Sequence, residues 1–147
     1  MKPTLHEHVV QLAKAFDVRL IISDQLRPEE ACAIPHMRIV LAAPIHEDLG
    51  YAVVLHELGH LVAPVGALNV PRTPQAKCAE EEAAWNWARH MALEWTAPME
   101  QLAQWAERSY LDELNTVRPQ PRPPAPAAPK TKTKRQEIDW TTWRTTR

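Results

Sequence analysis

Five consecutive residues, His56-Glu57-Leu58-Gly59-His60, restrict this chain more than any other stretch. They form an HExxH motif wrapped in apolar residues: Val53, Val54, Leu55, Leu58 and Leu61. On a helix, residues four apart share a face, so both imidazoles can reach one metal ion. Glu57 points to one side of that face, where it can take a proton from metal-bound water. With seven His and 13 Glu in 147 residues, chance supplies this pattern about 0.03 times, for a motif with this mechanism. Gly59 in mid-helix costs about 1 kcal/mol relative to Ala, which implies close packing there. The alternative is an ordinary helix with two surface histidines. The helical context and the apolar wrapping oppose it.

The motif sits in a segment that begins near Glu47 or Asp48 and stops before Pro64. Upstream, Thr4 and Glu7 form a capping box for a first helix carrying Leu5, Val9, Leu12, Ala13 and Phe16 at helical spacing. Val18, Leu20, Ile21 and Ile22 mark a strand over Arg19 to Ser23, and Arg38 to Ala42 a second. The two are expected to pair as a small antiparallel sheet. Gly66, Pro71 and Pro74 mark a loop. A third helix is expected from Pro74 to Trp95, and a fourth from Pro98 to about Leu114. The order α-β-β-α-α-α predicts an α+β fold: a small antiparallel sheet packed with the HExxH helix and further helices.

Composition divides the chain. Residues 1–117 carry nine Lys+Arg against 16 Asp+Glu, a net of −7; residues 118–147 carry eight against two, a net of +6. Six of the 14 prolines fall between Pro119 and Pro129. The expectation is one acidic domain over 1–117, then a Pro-rich, basic, disordered tail over 118–147. Over the whole chain 17 Lys+Arg nearly cancel 18 Asp+Glu, a balance that argues against a wholly basic nucleic-acid binder. No apolar run approaches the roughly 18 residues that span a bilayer. The N-terminus does not read as a signal peptide. Cys32 and Cys78 are too few and too far apart for a disulfide scaffold or a CxxC pair. A reduced, cytoplasmic protein without membrane contact is expected.

A catalytic zinc site usually needs a third protein ligand. Glu80, Glu81 and Glu82 lie in the third helix. A solvated acidic first turn is the plain alternative. From Glu81 the face through Ala84, Ala88, Met91, Ala92 and Trp95 is small and apolar, as expected where helices pack. From Glu82 the face carries Trp85 and the polar Asn86 and Arg89. Glu80 has Ala84, Trp87 and Met91. Glu81 is favoured, with Glu82 and Glu80 as the alternatives.

HELGH followed by Glu81, Ala84, Trp87 and Ala88 resembles the ImmA/IrrE family of zinc metallopeptidases over residues 5–98. The resemblance implies a minimal zincin-like fold. It implies a Zn2+ held by His56, His60 and Glu81, with Glu57 as catalytic base, in a hydrolase acting as a zinc metalloendopeptidase. It also implies site-specific cleavage of a regulatory protein such as a helix-turn-helix repressor, in phage or mobile-element regulation or stress responses. Trp85 stands where relatives often carry Asn or Asp. A different class of function is a non-proteolytic, zinc-containing regulatory or partner-binding module; another is an adaptor acting through the tail.

Other residues have smaller claims. His46 and His90 could orient a substrate or stabilise an oxyanion, although surface histidines are the plainer reading. His6, His8 and His36 are weaker, as is Tyr110 as an oxyanion donor. Cys78 could coordinate zinc but reads better as a helix neighbour. Trp85, Trp87, Trp95 and Trp105 read as packing anchors. In the tail, Lys130, Lys132, Lys134 and Arg135 could contact nucleic acid weakly, and Trp140 and Trp143 could dock in a partner groove. The +6 tail could instead lie on the −7 domain and cover its cleft.

Overall fold

The computed structural model describes residues 1–63 and 73–115. The expectations for the loop at Gly66 and Pro71 and for the tail lie outside the described residues. The chain runs α1 (Leu5–Ala15), β1 (Arg19–Ile22), β2 (Cys32–Ile34), β3 (Ile39–Ala42), α2 (Asp48–Val62), α3 (Pro74–Met91) and α4 (Ala97–Asn115). Short 3-10 turns at Pro28–Glu30 and Pro35–Met37 flank β2. This is an α+β arrangement of four helices and one three-stranded sheet among the described residues. None of the described helices is long and apolar enough to cross a membrane.

Local chemistry explains where the helices start. Thr4 Oγ1 accepts from the Glu7 amide (3.2 Å), and Glu7 Oε2 accepts from the Thr4 amide (2.8 Å), so the capping box is formed. Thr73 caps α3 by accepting from the Ala76 amide at 3.1 Å, with Pro74 in the first turn. α2 begins at Asp48, as its acidic start suggested.

The sheet corrects the antiparallel expectation. Its order is β1-β3-β2, and β1 runs parallel to β3 with Leu20 opposite Val40. The antiparallel partner of β3 is β2, a strand not expected from sequence, with Ala33 opposite Val40. The chain leaves β1, passes the Pro28 turn, forms the edge strand β2, and returns through the Pro35 turn into the centre. β3 is central, and Ile39, Val40 and Ala42 are buried. Both parallel strands are entered through a left-handed residue, Asp17 (φ 54°) before β1 and Arg38 (φ 51°) before β3. The Arg38 guanidinium donates to the carbonyls of Phe16 and Asp17, so it also satisfies the C-terminal end of α1.

α2 is the central element. Every residue from Gly50 to Gly59 is buried. A helix covered on all sides has no polar face to show, which is why its sequence is apolar nearly throughout. α1, β2 and β3 pack against it, as do α3 and α4. Its own Tyr51, Leu55 and Leu58 are among the largest fully buried side chains, together with Trp85 of α3 and Met99 and Leu102 of α4.

α3 ends at Met91, short of the expected Trp95. The Leu93 amide donates to the Tyr51 hydroxyl of α2 at 3.0 Å instead of continuing the helix ladder. That hydroxyl also pairs with His8 Nδ1 at 2.7 Å. Tyr51 therefore ties α1 and the α3–α4 connection to the central helix. Burial lowers the His8 pKa and raises that of Tyr51, which suits a neutral pair with the phenol donating to Nδ1.

Candidate metal centre

His56 and His60 project from the same face of α2, and their Nε2 atoms lie 3.0 Å apart. Glu81 comes from α3. Its Oε2 lies 3.1 Å from His56 Nε2, and its Oε1 lies 3.5 Å from His60 Nε2. His56 is 0 % exposed and Glu81 6 %. Glu80 and Glu82 are exposed. The structure thus brings Glu81, and neither neighbour, to the two imidazoles.

Glu57 is the next residue in the group. It is 2 % exposed, and its Oε2 accepts a hydrogen bond from the Ala33 amide at 2.9 Å. His56, Glu57 and His60 each offer a ligand atom, all within 4.8 Å of one another. The Ala33 amide is available because Ala33 lies on the outer strand β2 and turns its N–H away from β3. Sequence reasoning missed this anchor, since β2 is only three residues long and lies between Pro28 and Pro35.

The donor set fits a metal ion. Metal–ligand bonds of about 2.0–2.1 Å in a tetrahedron place ligand atoms about 3.3 Å apart. The separations of 3.0, 3.1 and 3.5 Å bracket that value. Electrostatics agree. Burial alone would raise the Glu81 pKa, but hydrogen bonds from His56 and His60 outweigh it and hold the carboxyl well below its usual range. Burial lowers the His56 pKa, against the pull of Glu81 and Glu57.

Trp85 lies against this group. Its ring stacks on His56, with centroids 4.1 Å apart and planes 21° apart. His56 Nδ1 has no hydrogen-bond partner among the described residues. The sequence marks Trp85 only as a packing residue, without showing which ring it meets. In the structure it lies one helical turn beyond Glu81 on α3.

The other candidates do different things. His46 and His90 are exposed, and His90 Nδ1 bonds its own helix at the Asn86 carbonyl (2.9 Å). Cys78 Sγ donates to the Tyr110 carbonyl on α4 at 3.5 Å, and the Tyr110 ring carries Lys77 Nζ 5.5 Å from its centre. Trp87 packs edge-on against Phe16, and Trp95 Nε1 donates to Glu100 Oε2 at 2.6 Å. These are packing and tethering roles. No other group of three His, Cys, Asp or Glu in metal-binding proximity occurs among the described residues. In comparisons with known proteins, the chain matches no family model, no curated protein and no solved structure.

Proposed function

We propose that the chain is a zinc-dependent metalloendopeptidase with a minimal zincin-like fold, of the ImmA/IrrE kind that its HELGH and Glu81 helices resemble. One observation carries the reading. Two imidazole nitrogens and a carboxylate from a second helix converge at metal-ligand spacing, and a further buried carboxylate stands beside them. His56, His60 and Glu81 are the ligands in this account. Imidazole and carboxylate donors in a three-residue set suit Zn2+ with a position left for water or substrate. When bound, the ion supplies Lewis-acid activation of water and of the scissile carbonyl.

The chain's own residues do the rest. Glu57 is the general base: its carboxylate, oriented through Oε2 by the Ala33 amide, takes a proton from the attacking water and passes it to the leaving amine. Val53, Val54, Leu55 and Leu58 exclude bulk water behind the ligands, which strengthens every charge interaction in front of them. The substrate class is a specific regulatory protein, a helix-turn-helix repressor by resemblance.

The test incubates the full chain loaded with Zn2+ with any helix-turn-helix repressor found encoded in neighbouring genes, with products identified by mass spectrometry. One defined cut is expected, absent with Glu57→Gln although that variant keeps its zinc. Equal cleavage by Glu57→Gln would refute the assignment of the base. Zinc retention without cleavage by the unaltered chain would favour a non-proteolytic module.

A further inference from the structure

We propose that Trp85 is a positioning residue for the metal centre, its indole face holding the His56 imidazole in its metal-facing orientation. The inference rests on the reading that His56 is a ligand. A ligating histidine almost always donates its other ring N–H to a carboxylate, carbonyl or water, and that bond fixes the ring's rotation. At His56 the Nδ1 position has no such partner among the described residues, while Nε2 faces His60 and Glu81. A stacked ring takes over the task. The indole covers one face of the imidazole at 4.1 Å and 21°, and His60 meets His56 edge-on at 4.4 Å and 74°.

The two rings are fully buried, so neither can swing out without opening the core. Trp85 and Glu81 lie one turn apart on α3, so a single helix delivers both the carboxylate and the plate that orients its partner ligand. The chemistry is also favourable. An imidazole that gives its Nε2 lone pair to a cation gains positive character, and the negative face of an indole attracts it.

The experiment measures Zn2+ affinity of the full chain by competition with a chromophoric chelator, for the unaltered protein, Trp85→Phe and Trp85→Met. Phe keeps a ring face; Met fills apolar space without one. Thermal melts in EDTA accompany each, because both replacements remove core volume and should lower metal-free stability alike. Outer-shell losses typically weaken metal binding about 10–100-fold, which is the effect expected for Trp85→Met, against about threefold or less for Trp85→Phe. The visible spectrum of the Co2+-loaded protein should keep its band shape in Trp85→Phe and change in Trp85→Met. Equal weakening in both variants would reduce Trp85 to a volume filler and overturn the proposal. So would a loss of about tenfold or more in Trp85→Phe, a result that decides the matter even where Trp85→Met does not fold. Failure of the unaltered chain to bind Zn2+ would overturn the metal reading itself, a separate result.

Discussion

Gly59 of α2 and Ala84 of α3 are in backbone contact: a Cβ on residue 59 would lie 2.6 Å from the Ala84 carbonyl oxygen and 2.9 Å from its Cα. The glycine lies between His56 and His60 in sequence, and Ala84 is three residues beyond Glu81. The approach of the helices at this point is therefore what brings the carboxylate to the imidazoles.

Gly59→Ala should destabilise the protein although Ala is the better helix former by about 1 kcal/mol. The obstacle is backbone, so α3 has to move, and overpacking of this kind costs about 1–3 kcal/mol. A lower melting temperature and weaker Zn2+ binding in the same variant are expected. A raised melting temperature would mean that the helices are not held this close.

Tyr51→Phe should lower stability by about 1–2 kcal/mol, because it strips the partner from both the Leu93 amide and His8 Nδ1. Thermal denaturation checks this, with an expected fall of several degrees. His8→Ala removes only one of the two bonds and should cost less. Equal melting temperatures for Tyr51→Phe and the unaltered chain would show that the hydroxyl does not tie these elements together.

Much of this architecture was legible in short-range pattern. The Thr4–Glu7 box, the start of α2 and the inward turn of Glu81 each depend on residues within a turn or two of one another. The close packing expected at Gly59 is also found. What escaped depends on distant partners. β2 is three residues of edge strand, too short for any periodicity, and its presence decides that β1 meets β3 in parallel. The end of α3 is set by a hydroxyl 42 residues away, and the anchor of Glu57 by a backbone amide that has no side-chain signature. Trp85 was legible as a packing residue but not as one stacked on His56, because nothing local says which ring an indole will face.

The junction of α3 and α4 should weaken in acid. Arg89 pairs with Glu100 at 2.9 Å and with Glu107 at 2.9 Å. Hydrogen bonding to Arg89, reinforced by Trp95 and Gln104, holds the Glu100 pKa below its ordinary value. A depressed folded-state pKa contributes stability that is complete above the ordinary carboxylate value of about 4.3 and is lost as the pH falls through the folded value. Arg89→Met should therefore melt lower than the unaltered chain at neutral pH, with the gap closing below about pH 4. A gap independent of pH would assign the effect of Arg89 to packing alone.

The most direct test of the metal centre is zinc stoichiometry, measured by elemental analysis of purified, dialysed full-length protein, unaltered and with Glu81→Ala or Glu82→Ala. The buried bridge from Glu81 to His56 and His60 predicts one zinc per chain for the unaltered protein and for Glu82→Ala, and a large loss for Glu81→Ala. Full zinc in Glu81→Ala, or its loss in Glu82→Ala, would contradict the centre described here.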